Sequence, residues 1–227
     1  MTTASMTFPG LDRLLRVPGV YPPQSDSFLL AEAVRREGVR PDTDLLDICT
    51  GSGFLAVYAA GLGARVTAVD IDRKAVLAAR LNALLARRSI RIRRDDLGAS
   101  LPERAYDMVI SNPPYLPAPG RRPPRRGVAR AWDAGPDGRA LLDRVCAVAP
   151  RLLRPGGVLL LVQSQLSDPD QTVGRLSRAG MHAAIGDRVR IPLGPVVRER
   201  RAWLRQRGLL EESADWEGLV IVRAEKP

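Results

Sequence analysis

Asp44-Leu45-Leu46-Asp47-Ile48-Cys49-Thr50-Gly51-Ser52-Gly53-Phe54-Leu55 passes from an apolar run through two glycines into a second apolar run. It reads as strand, turn and helix, with glycine backbone and helix amides facing one crevice where a ligand can come close at Gly51 and Gly53. A Walker phosphate loop would need Gly-Lys-Ser/Thr, which is absent. A dinucleotide fingerprint is only half kept, because Gly51-Ser52-Gly53-Phe54-Leu55-Ala56 ends in alanine. The next strand, 65–70, ends in Asp70, a carboxylate placed to accept both hydroxyls of a ribose. Asp96 follows the third strand, where it would accept from an adenine amine, and Asp47 near the end of the first strand could hold an ammonium group. Acids at strand ends also cap helices, and Asp72 is expected to do so. The remaining three match an amino acid, a ribose and an adenine, the shape of S-adenosylmethionine.

A later strand, Tyr106-Asp107-Met108-Val109-Ile110-Ser111, runs into Asn112-Pro113-Pro114-Tyr115. The prolines fix φ, remove two backbone donors and bias Asn112 away from helix, so mainly acceptors face a ligand. An NH2 group brings two donors, which the Asn112 side-chain oxygen and the Pro113 carbonyl could accept while the nitrogen lone pair stays open to attack. Tyr115 could stack on the planar group, with Pro114 beside it. Asn112, Pro113 and Tyr115 are therefore the candidate catalytic residues, and Asn112, Pro114 and Tyr115 the candidate substrate contacts.

Strand and helix periods alternate along the chain, which predicts an α/β domain with a parallel sheet covered on both faces. Helices are expected at 27–36, 54–62, 72–86, 139–153 and 168–179, and strands at 44–49, 65–70, 89–93, 106–111, 158–163, 183–191 and 218–224. Pro155-Gly156-Gly157 should break the fourth helix just before its strand. Two stretches lack clear regular structure. One, 116–138, leaves the carboxyl end of a strand, where open α/β sheets bind ligands. The other, 192–215, contains a basic amphipathic segment at 196–205 that reads as a short helix packed by Trp203 and Leu204.

The 227 residues suit one domain, and no apolar stretch approaches the roughly 18 residues of a membrane span. With no secretory leader pattern at the N-terminus and only Cys49 and Cys146, well separated, a reducing cytoplasm is expected rather than a disulfide framework. His182 is the single histidine, which argues against a His-rich metal site, and no metal is expected. The net charge of +10 invites an anionic partner such as RNA. The charge is nearly all arginine, however, since Lys74 and Lys226 are the only lysines, and such a bias also arises from genome composition. The arginines gather at 87–94, 121–130 and 188–207.

These residues resemble a class I S-adenosylmethionine-dependent methyltransferase with an amino-methylating NPPY signature, and more closely the HemK-like glutamine methyltransferases of peptide-chain release factors. Gly19-Val20-Tyr21-Pro22-Pro23-Gln24-Ser25-Asp26-Ser27-Phe28-Leu29-Leu30 is similar to the segment before that family's cofactor loop. Trp132-Asp133-Ala134-Gly135-Pro136-Asp137-Gly138-Arg139 is similar to its glycine-containing segment after NPPY. The resemblance spans most of 17–165 and implies a single Rossmann-like domain at 21–227, with a seven-stranded, mostly parallel sheet, an antiparallel last strand, and helices on both faces. Residues 1–20 would be an N-terminal extension and 191–215 a basic insertion before the last strand. The helical N-terminal domain of the standard bacterial enzymes is expected to be missing, as in the short branch, which in eukaryotes works with a small zinc-binding activator subunit. Carried over by position, Ser27, Asp47, Gly51, Asp70, Asp96 and Leu97 would surround S-adenosylmethionine, and Asn112 with the Pro113 backbone would hold the target amide. Cys49 replaces the loop's usual first glycine, which permits close approach if its backbone stays extended. The target is expected to be a glutamine of a protein such as a release factor. An adenine amine of RNA or DNA, a small molecule, and a non-catalytic scaffold remain the alternatives.

Overall fold

A computed structural model describes residues 14–124 and 127–227. Helix α1, Ser25–Glu37, is opened by a capping box between Gln24 and Ser27 and closed by Gly38 at φ 83°. Then follow β1 (Asp44–Ile48), α2 (Phe54–Gly61), β2 (Arg65–Asp70), α3 (Arg73–Leu85), β3 (Ile90–Arg94) and β4 (Tyr106–Ser111). After a long loop come α4 (Ala140–Leu152), β5 (Leu153–Ser164), α5 (Pro169–Arg178), β6 (His182–Pro192), the short α6 (Pro195–Glu199) and α7 (Arg201–Gln206), and β7 (Trp216–Glu225). Asp72 caps α3 as expected, its carboxylate accepting from the Lys74 N–H at 2.9 Å.

The strands form one seven-stranded sheet in the order β3-β2-β1-β4-β5-β7-β6. The pairs from β3 to β5 are parallel, and β7 runs antiparallel to both β5 and β6. The expected Rossmann-like class I architecture is thus present. Because successive strand residues face opposite sides, Leu45 and Leu160 enter one core while Leu46, Leu159 and Leu161 enter the other. The first core is closed by Leu30 and Val34 of α1, Val57 of α2 and Val76 of α3, and the second by Leu142 of α4 and Leu176 of α5. Both faces are therefore covered. Among the described residues, no helix is long and apolar enough to cross a membrane.

Three local expectations need correction. Pro155-Gly156-Gly157 was expected to precede β5, but β5 already pairs at Tyr106↔Leu153 and resumes at Met108↔Val158, so the triplet lies inside a bulge. Arg154 holds the bulge by ion pairs to Asp44 and Asp107, and the Gly156 N–H donates to the Lys226 carbonyl. The stretch 192–215 is ordered: α6 and α7 pack on a small core of Leu166, Leu193, Val197, Leu204 and Leu210. Its helical part is two short helices rather than one, interrupted at Arg200. Cys49 stands at φ 62°, left-handed rather than extended. Of the expected N-terminal extension, residues 1–13 lie outside the described residues. Leu15 docks on α3, where its N–H donates to Asn82 Oδ1 at 2.7 Å.

Candidate functional site

A cavity of about 1090 Å³ opens over the carboxyl ends of β1, β2, β3 and β4. It sits where the strand order reverses between β1 and β4, the place at which open α/β sheets leave a crevice.

The loop from β1 to α2 builds one end of this cavity. Thr50 N–H donates to the Val69 carbonyl at 3.1 Å, and Gly51 N–H to Asp70 Oδ2 at 3.0 Å. Asp70 Oδ1 accepts from the Asp72 N–H at 2.9 Å, so the carboxylate braces two turns and faces the cavity, and burial raises its proton affinity. Gly51 lies at φ 55°, and a Cβ there would meet nothing nearer than the Cys49 carbonyl at 4.0 Å, so the cavity reaches its backbone. Gly53 serves a different purpose. At φ 81°, a Cβ on it would stand 2.9 Å from the Ala79 Cα, so this glycine lets α2 approach α3 and is not on the cavity wall. Leu97, at φ 58°, and Asp96 do line the cavity. Asp96 Oδ2 is ion-paired with Arg144 at 2.7 Å, a partner that sequence gave no reason to expect.

Asp47 lies beneath the loop rather than on the wall. It is fully buried, its Oδ2 accepts from Thr50 Oγ1 at 2.6 Å, and Oδ1 has no hydrogen-bond partner among the described residues. Burial, reinforced by the charge of Asp70, pushes its carboxyl up to about 7. An open glycine backbone, a half-buried strand-end carboxylate and, beneath them, a buried acid with one oxygen unpartnered among the described residues fit a nucleoside that carries a positive charge.

Cys49 makes a stability prediction here. An L-residue in the left-handed region costs about 1–2 kcal/mol, and glycine gives back part of that in unfolded-chain freedom. Cys49→Gly should therefore stabilise the protein by up to about 1 kcal/mol, raising Tm by about 2–4 °C in calorimetry. A fall in Tm would show that the thiol's packing outweighs the backbone strain.

The other end of the cavity is built by α1 and the segment after β4. Asn112 Nδ2 donates to Ser27 Oγ at 3.4 Å, which directs Asn112 Oδ1 away from that contact. Asp26 is buried and fully engaged. Oδ1 accepts from the Ser27 N–H at 2.6 Å and Ser27 Oγ at 3.1 Å, while Oδ2 accepts from Tyr21 at 3.0 Å and Tyr115 at 2.8 Å. Burial, with Asp26 beside it, pushes the Tyr115 hydroxyl well up, so that residue stays a neutral donor. Asn112, Pro113, Pro114 and Tyr115 all line the cavity, although Tyr115 is only 8% exposed and its hydroxyl is committed. Glu217 at the start of β7 lines the same end. Its carboxyl is pushed up to about 7 first by burial, with the Asp26 charge adding to the effect and a hydrogen bond from Ser164 opposing it.

The loop 116–138 and the insertion close the rim. The Leu116 N–H donates to the Trp132 carbonyl at 2.8 Å, and Arg200 ties the insertion to the loop through Asp133 Oδ1 at 2.6 Å and the Pro117 carbonyl at 3.0 Å. Pro195 and Val196 thus become cavity wall. Sequence reasoning missed Asp26, Tyr21, Arg144 and Glu217. Asp26 and Tyr21 stood beside the singled-out Ser27, whereas Glu217 has no local signal, being brought in only by the antiparallel return of β7.

Residues 16–120 match the family described as Methyltransferase small domain. A putative protein N5-glutamine methyltransferase of Methanocaldococcus jannaschii is 34% identical over 176 residues, covering 77% of this chain and 87% of the relative. A tRNA1(Val) (adenine(37)-N6)-methyltransferase of Pedobacter heparinus is 40% identical over 133 residues, 56% of each chain. Among solved structures, the E. cuniculi Mtq2–Trm112 complex, described as responsible for methylation of the eRF1 translation termination factor, superposes with a TM-score of 0.64 at 22% identity. The match covers 92% of this chain and 99% of that one. The chain belongs to the HemK-like glutamine methyltransferases, within the class I S-adenosylmethionine-dependent methyltransferase superfamily.

Proposed function

We propose that this protein methylates the side-chain nitrogen of a glutamine in a protein substrate, a peptide-chain release factor. The observation that carries this reading is the Asn112–Ser27 contact. With Nδ2 donating to Ser27, the Asn112 carbonyl oxygen is the atom left to accept from a planar NH2 group. The Pro113 carbonyl is the second acceptor. The M. jannaschii relative is described as a putative protein glutamine methyltransferase, and the E. cuniculi complex as acting on a termination factor, which supports the protein target.

S-Adenosylmethionine, when bound, supplies an electrophilic methyl group on a sulfonium. Asp70 would hold its ribose, Asp96 and Leu97 its adenine, and Gly51 and Ser27 the amino-acid end, while Asp47 steadies the loop from below. An amide nitrogen is a poor nucleophile because its lone pair is delocalised. Two acceptors on its hydrogens fix the plane of the amide and favour density on nitrogen, so positioning and electrostatics do most of the catalysis. The Tyr21–Asp26–Tyr115 bonds tie the segment after β4 to α1, which keeps Asn112 in place.

The test is transfer of labelled methyl to the source organism's release factors and, in parallel, to its total RNA, with the modified site located by mass spectrometry. It should be run with and without a small partner subunit, since the E. cuniculi relative was solved as a complex. Label on a release-factor glutamine is expected. Label on RNA adenine would favour the activity named for the P. heparinus relative and give the cavity arginines Arg130 and Arg144 a nucleic-acid role.

A further inference from the structure

We infer that the Glu217 carboxylate accepts the proton that the target nitrogen sheds as it gains the methyl group. The inference rests on the glutamine reading above and adds a residue to it. In the transfer, the nitrogen–carbon bond forms on the nitrogen lone pair and the carbon–sulfur bond breaks with its pair passing to sulfur. As the nitrogen becomes tetrahedral, one of its two hydrogens leaves the carbonyl that had accepted from it, the N–H pair stays on nitrogen, and the proton goes to Glu217. A positive sulfonium and a negative carboxylate become a neutral thioether and a neutral acid, so no charge is stranded in the cavity.

The choice of Glu217 comes from asking which cavity carboxylate has room for a proton. Asp26 has all four acceptor sites filled by Tyr21, Tyr115 and the two Ser27 groups. Asp70 braces the loops at Gly51 and Asp72, Asp72 caps α3, and Asp96 pairs with Arg144, all at the other end of the cavity. Asp95 is held by Ser100 at Oδ2 alone but follows β3, at the same end of the cavity as Asp70 and Asp96, and Asp47 is not on the wall. Glu217 has Ser164 beside it as a side-chain donor and lines the cavity beside Asp26, which is bonded to the same Ser27 that holds Asn112.

The groups facing Glu217 are few. Asp26 comes from α1, Tyr21 from the segment before it, Tyr115 from the segment after β4, and Ser164 from the end of β5. From β6, Arg190 turns onto the neighbouring Trp216 ring, 4.1 Å from its centroid. The surroundings of Glu217 therefore resist its charge, and with the carboxyl raised to about 7 it exchanges a proton near neutral pH, where a general base works best.

The experiment is glutamine methylation by the full chain, wild type and Glu217→Gln, as a function of pH, with S-adenosylmethionine affinity measured by calorimetry. Glutamine keeps the shape and the Ser164 contact and removes a buried charge, so the variant should fold. The expected result is a kcat loss of about 100-fold, unchanged cofactor affinity, and disappearance of the wild-type fall in kcat below about pH 7. Glu217→Asp should recover part of the rate together with an acid limb. A Glu217→Gln enzyme with wild-type kcat and an intact acid limb would overturn the inference and leave the glutamine reading standing. A wild type that labels no glutamine would overturn both.

Discussion

Asn112→Ala should lower kcat for glutamine methylation by about 1,000-fold while S-adenosylmethionine affinity stays within a few-fold of wild type. The size follows from what the side chain is asked to do. Removing one preorganised hydrogen-bonding group from a reacting centre costs about 100- to 1,000-fold, and Asn112 also sets the plane of the amide, an orientational contribution on top of the electrostatic one. Cofactor affinity should survive because Gly51, Asp70, Asp96 and Leu97 stand at or after the ends of β1, β2 and β3, apart from the segment after β4, and Ser27 loses its contact with Asn112 but is still held by Asp26. Asn112→Asp separates the two contributions. It keeps an acceptor but loses the Nδ2 donor to Ser27, so its oxygen is no longer aimed. It should fall between alanine and wild type. Rates near wild type for Asn112→Ala would remove the basis of the glutamine assignment.

The parts of this site that were legible in sequence share a physical property: their function is set within a few residues. The prolines after Asn112 restrict their own backbone, and Asp70 ends a strand whose period is visible over six residues. Both line the cavity. Asp47 looked equivalent to Asp70 by position, yet it points under its own loop to Thr50, because the left-handed turns at Cys49 and Gly51 fold the chain back over it. Sequence does not show which way a loop closes over a strand-end acid. Glu217 illustrates the opposite limit, since β7 is laid between β5 and β6 by pairings that span the last third of the chain, and nothing beside Glu217 announces a cavity. The insertion read as a basic amphipathic segment packed by Trp203 and Leu204, with nothing to say that Arg200 is spent on Asp133 and the Pro117 carbonyl, which turns part of that charge inward.

Gly138→Ala should be the most disruptive single-methyl change near the site, costing about 3 kcal/mol of stability through overpacking and backbone strain. Gly138 sits at φ 72°, where a Cβ would overlap the Tyr115 carbonyl and approach Pro117 Cδ at 3.0 Å. Neither neighbour can yield easily. Tyr115 follows two residues of fixed φ and its hydroxyl is held by Asp26, and Leu116 next to it is bonded to Trp132 and Ala134. The displacement must therefore travel along the chain toward Asn112 or out into the loop. At about 2–4 °C per kcal/mol for a chain of this size, Tm should fall by about 10 °C. Gly135→Ala supplies the control, since Gly135 lies in the same loop at φ 84° with none of the described residues within 4 Å of its missing Cβ. It should show the backbone strain alone, about 1 kcal/mol. If the two variants melt together, the Tyr115 carbonyl is free to move. The rigidity assigned to the segment after β4 would then fail, and with it the claim that Asn112 is held in place from its C-terminal side.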